Sequence, residues 1–93
     1  EKMKNKTISL KRLENSGALK AFASVSWITE QGEISIKSFR VIEGEGSGPW
    51  VGFPQIVYRK NGQTKYFDLL ELSKGLKAEL TKDILEEYEN SKN

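Results

Sequence analysis

Asn61-Gly62 lies between two runs rich in β-branched and aromatic residues, and this dipeptide limits the possible folds more than any other feature of the chain. The runs cover residues 56–60 and 63–68. Asn and Gly tolerate the two positive φ angles of a type I′ turn, which joins antiparallel strands through two residues. The sequence therefore predicts a hairpin that pairs Lys60 with Gln63 and continues in that register.

Two strands are predicted upstream from alternation of apolar and polar residues. Residues 7–11 alternate and form the first strand, and Asn15-Ser16-Gly17 reads as a turn. Residues 20–28 form the second, central strand. Its apolar face consists of Ala21, Ala23, Val25 and Trp27.

Two more strands follow before the hairpin. In residues 33–42 the apolar positions change parity between Ile36 and Phe39, which predicts a bulge near Lys37-Ser38 or burial on both faces. Residues 50–53 form a short strand, which Pro54 ends or confines to a sheet edge because proline lacks a backbone donor.

A C-terminal helix is predicted from Ser73, its N-cap, to about Glu89. Apolar residues recur there every four positions, at Leu76, Leu80, Ile84 and Tyr88. Ala78 and Leu85 fall on another side, which suits a second contact surface such as a dimer partner. The fold class is thus α+β, an antiparallel sheet of four to six strands that includes the Asn-Gly hairpin and packs with a C-terminal helix.

The 93 residues make one small domain, predicted over residues 7–93. Residues 1–6 are expected to be a disordered tail or an added remnant, because Glu1-Lys2 precede Met3. A small core with exposed strand edges is typically protected by a second copy, so we expect a homodimer.

The chain has neither cysteine nor histidine. The usual zinc ligands, the thiol nucleophile and the commonest general base are therefore missing, and we expect no enzyme activity, metal, cofactor or small-molecule substrate. No apolar run approaches the roughly 20 residues that span a bilayer. We therefore expect a cytoplasmic protein without membrane contact.

Charge is distributed unevenly although its sum is only +2. Lys74 and Lys77 lie at the predicted helix start, whereas the acids gather towards its end, at Asp83, Glu86, Glu87 and Glu89. This polarity opposes the helix dipole, at roughly 0.3–1 kcal/mol per charge. It suits phosphate binding at the helix start, and the alternative is scattered surface charge screened by salt.

The hairpin interleaves aromatic residues with cations, in Tyr58-Arg59-Lys60 and Lys65-Tyr66. Such a surface can follow phosphates while rings stack on bases. The alternative is an ordinary amphipathic hairpin whose tyrosines rest on the sheet. Lys20 and Arg40 are further candidates if a sheet face binds instead.

The loop at residues 43–49 is rich in Gly and Glu but does not form a phosphate-binding loop. Glu43 and Glu45 repel phosphate, and a strand instead of a helix follows. Two acids on a loop also lack a third metal ligand, so we expect them to be solvated. Trp27 and Trp50 are interpreted as core or interface residues.

Four segments in this order resemble the stage V sporulation protein G family, SpoVG. They are residues 20–25, 40–44, 51–54 and 85–88, and the similarity extends from about Thr7 to Tyr88. The resemblance implies an antiparallel sheet with a C-terminal helix, a homodimer, and a bacterial site-specific regulator that binds DNA and RNA. Members of this family are linked to sporulation, septation and virulence gene control.

The chain departs from this family at two basic positions. Members typically carry Lys-Arg directly after the proline, whereas here Arg59-Lys60 come only after residues 55–58. Lys74 precedes Gly75 where members place arginine, so a bidentate contact to phosphate or guanine is lost. The sequence preference of the family therefore does not transfer to this chain.

The sequence thus predicts a non-catalytic nucleic-acid-binding regulator. The candidate binding residues are Lys74, Lys77, Arg59, Lys60, Lys65, Lys20 and Arg40. The alternative is an adaptor for protein interaction in cell division or regulation, which would use Trp50, Phe53, Leu85 and the edge strand. Near-neutral charge and few arginines favour this alternative.

Overall fold

The computed structural model of the protein describes residues 6–14 and 17–92. Most of the predicted N-terminal tail, residues 1–5, lies outside them, as do Asn15 and Ser16 of the predicted turn. The first strand begins at Lys6, one residue before the predicted boundary.

Four strands form an antiparallel sheet in the order β1-β2-β3-β4. Their bounds are Lys6–Arg12 for β1, Leu19–Thr29 for β2, Gly32–Ile42 for β3 and Trp50–Gly52 for β4. Both β1 and β4 are edge strands. The strand that was expected to be central, β2, pairs with β1 on one side and β3 on the other.

The parity change in β3 is a β-bulge, as the sequence predicts. Ala23 pairs with Phe39 and Val25 with Ile36, so β3 carries one residue more than β2 between these pairs. Ser38, within the extra length, has a φ of 75°. The bulge keeps Phe39 and Val41 on the buried face after the apolar positions have changed parity.

Strands β5, Gln55–Lys60, and β6, Gln63–Asp68, form a separate two-stranded sheet. The register agrees with the sequence prediction, with Lys60 opposite Gln63. Asn61 and Gly62 have φ angles of 54° and 77°, as a type I′ turn requires. All residues of both strands are exposed, so the hairpin projects from the domain.

One helix, α1 at Lys74–Asn90, covers the sheet. The Ser73 hydroxyl accepts a hydrogen bond from the Leu76 amide, which confirms the predicted cap. The helix contacts both edge strands, and its buried side chains are Leu80, Ile84 and Tyr88. They pack on the apolar face of β2 and β3, in a core of Ala21, Ala23, Val25, Trp27, Phe39 and Val41.

The fold is therefore α+β, with a four-stranded sheet, a separate hairpin and a C-terminal helix. In the part of the chain that the structure describes, no helix is long and apolar enough to cross a membrane.

Candidate nucleic-acid interface

An open groove follows the free edge of β4 and continues between the hairpin and α1. Its volume is about 860 Å³. We call it the edge groove and define it by six of the side chains that line it: Arg40, Trp50, Phe53, Tyr66, Lys77 and Lys82. They come from β3, β4, the segment after β4, the hairpin and the helix, so the groove exists only in the folded chain.

Phe53 links the edge groove to the core. Its ring meets that of Phe39 edge to face, with centroids 5.3 Å apart. The Lys77 ammonium lies 5.5 Å from the centroid of the Phe53 ring, in a cation–π contact. The Arg40 guanidinium donates a hydrogen bond of 3.4 Å to the Phe53 carbonyl. Lys77 of the helix and Arg40 of β3 are thus held at the ring and at the carbonyl of Phe53, which the core fixes in place.

Gly52 leaves room for the Arg40 guanidinium. The two residues pair across β3 and β4, and a Cβ built at Gly52 would lie 2.6 Å from Arg40 Nη2. The missing side chain therefore allows arginine to lie flat along the sheet edge, where it lines the groove.

Cations outnumber acids along the edge groove. Arg40, Lys77 and Lys82 face one carboxylate, Asp68, which accepts a 2.8 Å hydrogen bond from Gln55. None of the ion pairs among the described residues involves these three cations. The groove therefore presents positive charge that an anionic ligand can neutralise.

The helix start extends this positive surface. Lys74, Ala78 and Lys82 follow at intervals of four residues and share one helix face. With a rise of 1.5 Å per residue, Lys74 lies roughly 12 Å along the axis from Lys82. Because Ser73 already occupies the Leu76 amide, fewer backbone donors are free for a phosphate than the sequence suggests. The lysine side chains therefore supply most of the contacts that an anion can make at the helix start.

The hairpin cations lie apart from the edge groove. Arg59 donates a 3.1 Å hydrogen bond to the Gly62 carbonyl, so its guanidinium is held at the turn. Lys60 and Lys65 lie on the hairpin face opposite the one that carries Tyr66, because side chains alternate along a strand. The structure therefore separates these three candidates from Arg40 and Lys77.

Lys20 also lies outside the edge groove. It falls at a register shift of β2 between Leu19 and Ala21, and its carbonyl accepts a 2.9 Å hydrogen bond from Leu13. Its side chain is half-buried, and its backbone bond helps to close the connection between β1 and β2.

The aromatic side chains are more exposed than the sequence suggests. Trp27 is buried as expected, but Trp50 keeps 52% of its surface exposed. Tyr58 and Tyr66 are 44% and 63% exposed, so neither ring is covered by the sheet. Trp50 and Tyr66 both line the edge groove.

Two acids of α1 have a structural partner. The Lys6 ammonium pairs with Glu79 at 2.7 Å and also with Asp83. Burial alone would lower the pKa of Lys6, but hydrogen bonds to Asp83 and Glu79 and their negative charges outweigh it and raise the pKa. Asp83, one of the acids near the end of the helix, thus holds β1 against the helix.

Glu43 is not the solvated loop acid that the sequence suggests. The Tyr88 hydroxyl donates a 2.9 Å hydrogen bond to it, and Lys92 lies 3.8 Å away. Burial and the hydrogen bond to Glu43 raise the pKa of Tyr88. Arg12 and Lys92 lie over the Tyr88 ring at 4.8 and 4.9 Å. These contacts fasten the helix end to the loop after β3.

Lys82 is the groove residue that sequence reasoning missed. Its interval of eight residues from Lys74 was a usable signal, since both fall on one helix face. Trp50 was missed as an exposed groove residue because nothing local distinguishes an edge tryptophan from a core one. Among the described residues, no group of His, Cys, Asp or Glu is placed to hold a metal ion.

A four-stranded antiparallel sheet under one C-terminal helix, with a cationic groove at its free edge, defines a small α+β domain. Comparison with family models gives a match to SpoVG over residues 3–90, nearly the whole chain. The chain belongs to the SpoVG family. Comparisons with curated proteins and with solved structures gave no significant match.

Proposed function

We propose that this protein is a non-catalytic regulator that binds DNA or RNA through the edge groove. The observation that carries the proposal is the convergence of Arg40, Lys77 and Lys82, from a strand and a helix, on one open groove. Phosphates are the abundant anions that such a row of cations attracts, and most nucleic-acid affinity comes from these contacts. Membership of the SpoVG family supports this function.

Lys74 and Lys77 at the helix start are proposed to anchor phosphates, and both side chains are exposed. Lys74→Glu together with Lys77→Glu is expected to lower the affinity for nucleic acid and to flatten its salt dependence, because two cations are replaced by acids. Titration at several salt concentrations measures both effects. Circular dichroism serves as the folding control, and unchanged binding across salt would reject the helix start as a contact.

Arg59, Lys60 and Lys65 are proposed to extend the binding surface along the hairpin, as secondary contacts. Their side chains reach solvent on a projecting ribbon, which can contact a neighbouring stretch of backbone when the groove is occupied. Their loss should weaken binding less than the loss of Lys77 and Lys82.

The second candidate function is a protein-interaction adaptor, and one observation favours it. Trp50 is exposed beside a free sheet edge, where a partner strand or apolar side chain can dock. Binding assays with duplex DNA, single-stranded DNA and RNA at two salt concentrations separate the two functions. The regulator binds at least one of them in a salt-dependent way, whereas the adaptor binds none.

The hairpin supports the further proposal of a homodimer. Its face opposite the edge groove carries Ile56, Tyr58 and Phe67, which are 47%, 44% and 59% exposed. A two-stranded hairpin is marginally stable in water unless something packs on it. A second copy of the chain on this face would bury these three side chains and stabilise the hairpin.

A further inference from the structure

Trp50 and Tyr66 place two exposed aromatic rings beside the cations of one groove. Trp50 lies at the free edge of β4, and Tyr66 is on the hairpin face that is turned towards the groove. Tyr66 also lines a smaller cavity with Phe22 and Arg40, so the rings form a surface on the side of the sheet away from the helix. Phosphate binding alone needs no such rings.

The ring faces are suited to unpaired bases. In a duplex the bases are already stacked on one another, so aromatic side chains stack only on bases that are splayed out or single-stranded. A groove about 860 Å³ in volume has Lys77 and Lys82 on its helix side and Trp50, Tyr66 and Arg40 on the side of the sheet and hairpin. It can therefore hold both the backbone and the bases of one strand.

A peptide strand fits the same edge less well. β4 offers only Trp50–Gly52 for backbone pairing, and Pro54 lacks a donor two residues later. Three cations against one carboxylate, Asp68, also favour an anionic ligand over a neutral peptide.

We infer that the edge groove binds a single-stranded segment of DNA or RNA, with bases stacked on Trp50 and Tyr66 and phosphates at Arg40, Lys77 and Lys82. This inference rests on the proposed nucleic-acid-binding function and names the form of nucleic acid that the groove recognises. Duplexes bind only through the phosphate contacts and therefore more weakly.

Trp50 is itself a reporter of stacking. Of the two tryptophans in the chain, Trp27 is buried at 8% exposure and Trp50 is 52% exposed. Addition of oligo-dT or oligo-U to the full chain should quench the fluorescence of Trp50, whereas a duplex of matched length should leave it nearly unchanged. Collisional quenching by acrylamide should fall at the same time, because the stacked base covers the indole ring.

Two substitutions measure the contribution of the rings. Trp50→Leu and Tyr66→Leu are each expected to weaken binding of a labelled oligo-dT by roughly fivefold or more, because stacking of one base contributes about that much. Trp50→Phe should retain most of the affinity. The matched control is Phe67→Leu, which removes an equally exposed ring from the opposite hairpin face.

The salt dependence separates this inference from the proposed function. Trp50→Leu should lower the affinity at every salt concentration and leave the salt slope unchanged, since no phosphate contact is lost. If neither Leu substitution changes the affinity for oligo-dT, the stacking inference is overturned but nucleic-acid binding is not. Absence of binding to any nucleic acid would overturn both.

The oligomeric state of Trp50→Leu is a further test of the single-strand site. If Trp50→Leu halves the mass measured by light scattering, the edge of β4 is an interface between copies of this chain, and the single-strand site is overturned. An unchanged mass together with weaker oligo-dT binding supports the inference.

Discussion

At the scale of single residues, the structure depends on a few ionisable side chains that join the helix to the sheet. Lys6 holds β1 to α1 through Glu79 and Asp83, and Tyr88 holds the helix end to Glu43. None of these long-range pairs could be predicted from the sequence, because each joins residues far apart in the chain and depends on the angle at which the helix lies on the sheet. The Lys6 pairs should be visible in the pH dependence of stability.

We predict that the free energy of unfolding falls as the pH rises above about 10.5. The folded chain raises the pKa of Lys6 above its usual 10.5, so its stabilising contribution is complete below that value and is lost as the pH rises through the folded pKa. The pKa of Tyr88, raised from 10.0, gives a loss of the same sign. Urea unfolding at pH 8 to 11.5 measures the decline.

Lys6→Met should show a smaller alkaline decline than the wild type, because only the contribution of Tyr88 remains. Lys11→Met is the matched control, since Lys11 lies on the same strand but is exposed and belongs to none of the described ion pairs. Equal declines in all three proteins would show that the Lys6 pairs do not stabilise the fold.

At the scale of elements, the sequence predicted a turn, a bulge and a helix face correctly, because the residues that determine each of them lie close together in the chain. Asn61-Gly62 contains the information for its own turn, and the observed register agrees with the prediction. The parity change in β3 located the bulge at Ser38, and the interval of four residues located the buried helix face. Exposure of Trp50 and Tyr66 could not be predicted, because it depends on how the hairpin is oriented against the sheet.

The helix cap gives a prediction at this scale. Ser73→Ala removes the side-chain acceptor for the Leu76 amide and should lower the free energy of unfolding by about 1 kcal/mol. Ser9→Ala, in the exposed part of β1, should change it by less than about 0.5 kcal/mol. Urea denaturation of both variants tests the difference, and an equal effect would show that the cap contributes nothing.

At the scale of the whole molecule, the two faces of the hairpin belong to two different surfaces. The face with Tyr66 looks into the edge groove, and the face with Ile56, Tyr58 and Phe67 points away from it. We assign the first face to nucleic acid and the apolar side chains of the second face to a second copy of the chain. Lys60 and Lys65 share this second face, so they are available to nucleic acid only where the second copy leaves them exposed. In such a dimer each copy would retain an open groove, and two grooves on one particle would increase the affinity for a long strand.

The proposed dimer predicts the effect of a buried charge. Phe67→Glu places a carboxylate in the apolar hairpin face and should convert the dimer to a monomer, because the charge would lose its water on association. Light scattering coupled to size exclusion measures the mass. A Thr64→Glu control adds a carboxylate to the other face of the same strand and should remain dimeric; dimeric Phe67→Glu would place the interface elsewhere.

The salt dependence of nucleic-acid binding is the decisive measurement of whether the cations of the edge groove contact phosphates. For Lys77→Gln together with Lys82→Gln, the slope of log affinity against log salt should shrink by about 1.4 with a single-stranded ligand, at about 0.7 per lost phosphate contact. Lys11→Gln should keep the wild-type slope. A double variant with the wild-type slope and affinity would show that Lys77 and Lys82 do not contact phosphates.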